Sequence, residues 1–359
     1  MKSTVDAKAF ATALKKVSAA LRPSSIPVLD QVLVEFSEGT CRLTASDLNV
    51  WFSDEIPAEG DAFSLVFSNT KAIARASSHF NGRLTLELAG EDKKLTLRCG
   101  GKSGEFPTLD PQLYPERPDF EPEYRYPIKV YDLYERVKGV SYASCVSEQH
   151  PIAAGVRFQD NRVWCVDNNR MAIHRDSSLE VEQPFILRAA HLELLREFDK
   201  RRGEMAVGAD YVSVKSRGML LLMRRMTESD SVTIERTVPK EFTEAYYVDR
   251  KEYLDALNYL RDCGGSGVNA KAVFDGGLLL TDGKNGRYSV KVDTGKPRQV
   301  CYAFRLAHMR EAMKQFDGSR QVKISVVNAS TPIVISDGAG NMALLLTLPL
   351  ETKEDKKAA

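Results

Sequence analysis

One pattern is written three times along this chain of 359 residues. An amphipathic stretch, Val5-Asp6-Ala7-Lys8-Ala9-Phe10 through Val17, precedes a strand pair ending in Thr44-Ala45-Ser46-Asp47. Roughly 120 residues later, Val130-Tyr131-Asp132-Leu133 through Val140 precedes Val163-Trp164-Cys165-Val166-Asp167. The third copy runs from Val248-Asp249-Arg250-Lys251 through Leu260 to Leu279-Leu280-Thr281-Asp282. A long internal period means that one folding unit is used repeatedly, so function is to be sought in the array and not in a single pocket.

Each copy reads as a strand and a helix, strand pairs, a second strand and helix, and closing hairpins. The first helices carry apolar residues near i, i+4 and i+7: Phe10, Leu14 and Val17; Leu133, Val137 and Val140; Leu254, Leu257 and Leu260. The second helices are expected at Asn69 to Phe80, Ala189 to Phe198 and Leu306 to Phe316. Strand pairs alternate in polarity, as where residues 31–36 turn at Glu38-Gly39 into 41–44, and where 83–88 face 94–98. The pattern predicts an α+β fold of three tandem domains. Each has two helices packed on antiparallel sheets of about eight strands, because a sheet with one apolar face needs a cover. Proline-rich stretches at 106–127 and at Val238-Pro239-Lys240-Glu241 mark the boundaries, giving domains at 1–122, 123–240 and 241–351. The charged segment 352–359 is expected to be disordered.

A hydrophobic share of 43% is enough for several cores. The formal net charge of +1 shows no global excess that would announce nucleic acid or a membrane. Distribution is more telling. The six helical windows (6–17, 68–80, 129–140, 188–202, 249–262 and 305–320) carry net charges of +2, +2, +1, +2, −1 and +2, leaving a net charge of −7 for the remainder. Lys15, Lys16, Lys71, Arg75, Arg136, Lys138, Arg196, Lys200, Arg201, Arg202, Arg310 and Lys314 then make a patterned surface suited to phosphates. Lys and Arg are also good solvated helix formers, which accounts for any one of them alone. The shared sign of five windows carries the collective case.

The six cysteines lack Cys-x-x-Cys spacing, the five histidines lack ligand spacing, and neither metal nor cofactor is expected. Scattered, reduced cysteines and the absence of a leader or of a run of ~20 apolar residues point to a cytoplasmic protein with no membrane span. Ser68-Asn69-Thr70-Lys71 has the spacing of an acyl-transfer nucleophile but no Lys-Thr-Gly partner, and Ser68 is expected to be a helix N-cap. Gly100-Gly101-Lys102-Ser103 resembles the end of a phosphate-binding loop, yet Thr96 stands where its first glycine belongs, so it reads as a turn. His191 and His308 hold similar places in repeated helices, and Asp47, Asp167 and Asp282 recur with the repeat as turn residues after a strand.

The threefold plan is joined by Ile26-Pro27-Val28-Leu29, Thr44-Ala45-Ser46-Asp47-Leu48, Val166-Asp167-Asn168-Asn169-Arg170-Met171-Ala172 and Leu348-Pro349-Leu350. Together they resemble the bacterial DNA polymerase III beta subunit family, the sliding clamps, over essentially residues 1–351. The resemblance implies a non-catalytic processivity factor whose homodimer, closed head to tail, is a six-domain ring around double-stranded DNA. It also implies sequence-independent DNA contacts, to which Arg22, Lys71, Arg75, Arg136, Lys138, Arg196, Lys200, Arg201, Arg310 and Lys314 are assigned. A linear-motif pocket for the DNA polymerase III alpha subunit, the clamp loader and other clamp-motif proteins would use Ala153, Val166, Asn168, Asn169, Arg170, Met171, Val232, Arg236, Thr237, Leu346, Leu348, Pro349 and Leu350. Apolar residues would anchor the peptide, and Arg170 and Arg236 would orient it.

Three departures stand out. The family usually has Thr-Asp-Gly-His-Arg-Leu where this chain has Val166-Asp167-Asn168-Asn169-Arg170-Met171, Pro151 replaces a common aromatic, and a charged segment follows Leu350. Leu346 and Leu348 could equally complete a sheet. The alternatives to a clamp are a clamp-like paralogue with altered partner binding, or a hydrolase that uses the repeat as scaffold.

Overall fold

A computed structural model describes residues 1–89, 94–145, 151–175, 177–198, 202–227, 234–264, 267 and 269–350, without the side chains of 151, 152 and 235. The first copy comprises β1 (Lys2–Asp6), α1 (Ala7–Ser18), β2 (Leu33–Ser37), β3 (Thr40–Ser46), β4 (Val50–Gly60), β5 (Phe63–Phe67), α2 (Thr70–Ser77), β6 (Arg83–Ala89), β7 (Lys94–Cys99) and β8 (Lys102–Phe106). A short β9 (Thr108–Leu109) lies in the following connection. The second copy repeats the order with β10 (Tyr124–Lys129), α3 (Val130–Ser141), β11 (Gly155–Asp160), β12 (Arg162–Val166), β13 (Arg170–Arg175), β14 (Val181–Arg188), α4 (Ala189–Leu192), β15 (Arg202–Val207), β16 (Tyr211–Ser216) and β17 (Met219–Arg224). A single turn, α5 (Ile234–Thr237), precedes the third: β18 (Glu244–Asp249), α6 (Arg250–Gly264), β19 (Lys271–Asp275), β20 (Leu278–Gly283), β21 (Gly286–Lys291), β22 (Tyr302–Arg305), α7 (Leu306–Gln315), β23 (Gln321–Val326), β24 (Ile333–Ser336) and β25 (Met342–Leu345). Strand, helix, four strands, helix, three strands: the order is the same each time.

Compactness divides the described chain into two units, Met1–Tyr134 with Ala190–Arg225, and Glu135–Ala189 with Met226–Ala359. The second copy contributes to both, because its strands continue the sheets of its neighbours. In the first unit one antiparallel sheet runs β10-β15-β16-β17-β4-β1-β6-β7-β8, with β3, β2, β5 and β9 joined through β4. In the second unit one sheet runs β14-β11-β12-β13-β25-β24-β23-β18, and a smaller one runs β21-β20-β19-β22.

The helices form where the sequence supplies a narrow apolar stripe. In α1, Ala7, Phe10, Ala13, Leu14 and Val17 are buried, Asp6 accepts the Ala9 N–H as N-cap, and the helix packs on α2, β3 and β4. In the third copy Tyr253, Ala256, Leu257 and Leu260 of α6 meet Leu306, Met309 and Met313 of α7 in one core. A stack of Tyr246, Phe274 and Tyr302 lies beneath them, with centroids 5.4 and 5.1 Å apart. Gly60 reaches a φ of +128° where a Cβ would stand 2.4 Å from the Lys2 carbonyl oxygen, so glycine is required for β4 to meet β1.

Two local expectations are corrected. The second helix of the middle copy is one α turn, Ala189–Leu192, followed by a 3₁₀ turn, Glu193–Glu197. Its buried residues form two rows spaced by three, Ala189, Leu192, Leu195 and Phe198 beside His191 and Leu194, a spacing that three residues per turn align and 3.6 do not. The N-cap of α2 is Asn69, whose side chain accepts the Ala72 N–H at 3.0 Å, while Ser68 donates instead to the Pro107 carbonyl at 2.7 Å. Asn69→Ala should therefore lower the unfolding free energy by about 1 kcal/mol in urea titrations. Ser68→Ala, which removes one exposed bond, should cost no more than about half of that.

Candidate functional site

Because each helix turns its apolar stripe to the core, its charged residues face outward. Lys71, Arg75, Lys138, Arg196 and Lys314 are exposed, and Arg136 and Arg310 are half-buried. Arg22 is exposed too, but its Nη1 donates to the carbonyls of Ala19 and Leu21 at 2.9 Å and closes the end of α1. Lys138 lies 3.4 Å from the Glu135 carboxylate, Arg196 pairs with Glu197 at 3.0 Å, and Arg310 donates to Asn258 at 2.9 Å. Burial and then the charge of Arg261 hold the Arg310 guanidinium below its ordinary value. Lys200 and Arg201 lie outside the described residues.

Neighbouring copies are joined by strand pairing, twice in the same way. At the first joint β4 pairs with β17, Val50 opposite Met223, Trp51 opposite Leu222 and Phe52 opposite Leu221. At the second, β13 pairs with β25, Arg170 opposite Leu345, Met171 opposite Leu344 and Ala172 opposite Ala343. Beyond the last pair the Arg224 N–H donates to the Asn49 carbonyl, and the Leu346 N–H to the Asn169 carbonyl, both at 2.8 Å. A carboxylate sets the turn at each joint. Asp47 Oδ1 accepts from the N–H groups of Asn49 and Val50, and Asp167 Oδ1 from those of Asn169 and Arg170.

The second carboxylate oxygen reaches toward the next copy. Asp47 Oδ2 lies 3.1 Å from Nε2 of His191 on α4. Asp167 Oδ2 accepts from Arg170 Nε at 3.0 Å, and the Arg170 guanidinium goes on to Glu311 of α7 and lies over the Tyr142 ring. His308 holds the same helix position as His191, and burial followed by the Arg170 charge draws its pKa down. Asp282 does not repeat this role. It sits within β20, opposite Arg287 and bonded to it at 2.8 Å, so the position matching Asp47 and Asp167 is Gly283.

The residues expected to hold a peptide separate into groups. Val166 and Met171 join Trp164, Ile173, Ile234, Val334 and Leu344 in an apolar cluster, with Val238, Phe242 and Met342 packed against it. Arg170 lies beside Met171 on the strand, and its guanidinium is engaged there by Asp167 and Glu311. Asn168 and Asn169 form the turn, Ala153 lies within the 3₁₀ turn Pro151–Ala154, and Thr237 and the exposed Arg236 lie on α5. Leu346 is exposed, Leu348 bridges to Ala303, the Pro349 carbonyl accepts from Lys271, and Leu350 borders a concavity with Val273, Leu280 and Arg287. Val232 lies outside the described residues. Sequence reasoning missed Trp164, Ile173, Ile234 and Leu344; alternation along β12 and β13 was the signal that places the first two beside Val166 and Met171.

Among the described residues no group of three His, Cys, Asp or Glu side chains is placed to hold a metal, and no helix is long and apolar enough to cross a membrane.

Residues 1–118 match the family described as DNA polymerase III beta subunit, N-terminal domain. Among solved structures, the DNA polymerase sliding clamp of Bacillus subtilis is 18% identical, with a TM-score of 0.88 over 98% of this chain and 100% of that one. The DNA polymerase III beta subunits of Thermotoga maritima (19% identity, TM-score 0.85) and Pseudomonas aeruginosa (14%, 0.85) likewise cover 98% of this chain and are covered completely. A search of curated protein sequences returned no match. The fold is that of the bacterial DNA sliding clamps.

Asp47 gives the first joint a pH dependence. Burial alone would raise its carboxyl, but the hydrogen bond and charge of His191 and the N–H groups of Asn49 and Val50 outweigh burial and hold it below 3.8. A depressed carboxyl stabilises the fold above its unfolded pKa and loses that contribution as pH falls through the folded value. Asp47→Asn should therefore be less stable than wild type at pH 7, and the gap in urea midpoints should close below about pH 4. A gap unchanged down to pH 3 would remove the carboxylate from this role.

Proposed function

We propose that the protein is a DNA sliding clamp without catalysis of its own, with clamp domains at 1–122, 123–240 and 241–351. Two copies close head to tail into a ring around duplex DNA and tether the replicative polymerase. The observation that supports this best is the repeated joint. β4 and β13 each pair with the last strand of the following copy, whereas their counterpart β21 and the counterpart of those last strands, β8, each end a sheet. Pairing β21 of one chain with β8 of another, and the reverse, makes two identical head-to-tail contacts that close.

In such a ring the outward cations of the helices supply the lining: Arg22, Lys71, Arg75, Arg136, Lys138, Arg196, Arg310 and Lys314. A helix of 12 residues such as α1 is about 18 Å long. Helices of this length can touch phosphates without entering a groove, and phosphate contacts position a protein without specifying sequence. Weak, equivalent, salt-screened contacts permit sliding while ring closure prevents escape. The protein should remain on nicked circular DNA and be lost from the same DNA once linearised; equal loss from both forms would contradict the ring. Reversing Lys71, Arg75 and Lys314 together should weaken DNA binding and flatten its dependence on log salt by roughly 0.9 per phosphate contact removed.

Partner capture is assigned to the second joint, where Val166 and Met171 with the cluster around Trp164 and Ile234 would receive apolar anchors of a linear motif. The family's hydroxyl, glycine and histidine are replaced here by Val166, Asn168 and Asn169, which favours a more apolar peptide. Val166→Lys, whose half-buried side chain tolerates a charge better than Met171, should reduce binding of an apolar-anchored polymerase peptide at least tenfold in calorimetry while leaving the protein's mass in solution unchanged. Unaltered affinity would remove this assignment.

A further inference from the structure

The internal repeat specifies the third joint residue by residue. Along the hairpins, Ser46 opposite Trp51, Val166 opposite Met171 and Asp282 opposite Arg287 are equivalent pairs, so Arg287 corresponds to Trp51 and Met171. Across the closing strands, β1 opposite β6, β10 opposite β15 and β18 opposite β23 align Leu86, Met205 and Ile324. Those three face Leu97, Val214 and Ile335, which in turn face Gly104, Leu221 and Ala343. Glu105 therefore corresponds to Leu222 and Leu344, the residues opposite Trp51 and Met171.

Resting on the ring reading, we propose that β8 and β21 of two chains pair with Glu105 opposite Arg287 and Gly104 opposite Tyr288, and that this side-chain match selects a second copy of this chain in one register. The faces agree independently of the repeat. Glu105 and Arg287 both lie on the exposed face of their strands, and Gly104, Phe106, Tyr288 and Val290 on the half-buried face. A cation then meets an anion where both joints within the chain pair apolar residues. A tyrosine meets a glycine over which the Phe106 ring lies, within 3.3 Å of where a Cβ would stand, so that the two aromatic rings share one face. Arg287, already bonded to Asp282, becomes the centre of an Asp282–Arg287–Glu105 chain.

The match carries the register because the devices that fix it elsewhere are missing. Gly283 replaces the turn carboxylate of Asp47 and Asp167, and a Cβ there would stand 2.8 Å from the Gly264 Cα. Pro107 follows Phe106 where Arg224 and Leu346 donate the end hydrogen bond, and proline has no N–H to give. A strand pair with neither device slips unless its side chains hold it. The contact between chains is thus also the most salt-sensitive of the three joints.

The test is a charge exchange read by sedimentation equilibrium at low and at molar salt. Glu105→Arg and Arg287→Glu each place like charges opposite one another at both contacts, and each should weaken dimerisation roughly tenfold at low salt, less at molar salt. The double variant should return to within about threefold of wild type. Both side chains are exposed in the single chain, and the Asp282–Arg287 pair that Arg287→Glu breaks is exposed too and contributes little, so the variants keep their fold. A dimeric wild type with single variants unaffected, or with a double variant no better than either, would overturn the register alone. A wild type that stays monomeric would overturn the ring reading and the register with it.

Discussion

Pairing between strands of neighbouring copies is the interaction on which the rest of this molecule depends. A copy on its own would leave unpaired N–H and carbonyl groups along the strand that follows its turn, and an exposed edge recruits a partner. The chain answers this by giving β4 the last strand of the second copy and β13 the last strand of the third. Sheets then run through the copies, which is why compactness cuts the chain in the middle of the second copy and not at the proline-rich connections. Among the described strands, the counterparts of these joint strands, β8 and β21, each end a sheet, and the proposed third joint pairs them between chains.

Polar groups at the joints do more than decorate this pairing. Asp47 and Asp167 each use one carboxylate oxygen to fix the turn and the other to reach the next copy's second helix, directly through His191 or by way of Arg170 and Glu311. A partly buried carboxylate with several donors is costly to disturb, because removing one partner leaves the other unsatisfied. The two joints within the chain are thereby made rigid. The proposed joint between chains lacks both the turn carboxylate and the end hydrogen bond, and would rest on strand pairing, one exposed ion pair and aromatic packing.

Much of this was legible in the sequence. Hydrophobic period located the helices and strand pairs of all three copies, and the helical windows showed where basic charge gathers. What it could not supply was the partner that each polar side chain takes up. Nothing in the sequence shows that the Arg170 guanidinium is held by Asp167 and Glu311. Asp282 reads as the third copy of a turn aspartate because Leu-Thr-Asp resembles Thr-Ala-Ser-Asp. Only burial along β20, with Leu279 and Thr281 inward, shows that it lies one position earlier. Ser68 and Asn69 are both good caps by composition, and the choice between them falls to the strand end, where Ser68 is drawn to the Pro107 carbonyl. A 3₁₀ turn in place of a longer helix at Glu193–Glu197 follows from apolar spacing in threes, a weak signal beside a run of good helix formers.

The central claim is that a third joint, of the same strand-pairing kind as the first two, closes between chains. Backbone amide hydrogen exchange as a function of protein concentration tests it most directly. The account predicts that amides of β8 and β21 are protected at concentrations where two chains associate and lose that protection on dilution, while β4, β17, β13 and β25 stay protected throughout. Amides of β8 and β21 that exchange rapidly at every concentration would contradict it.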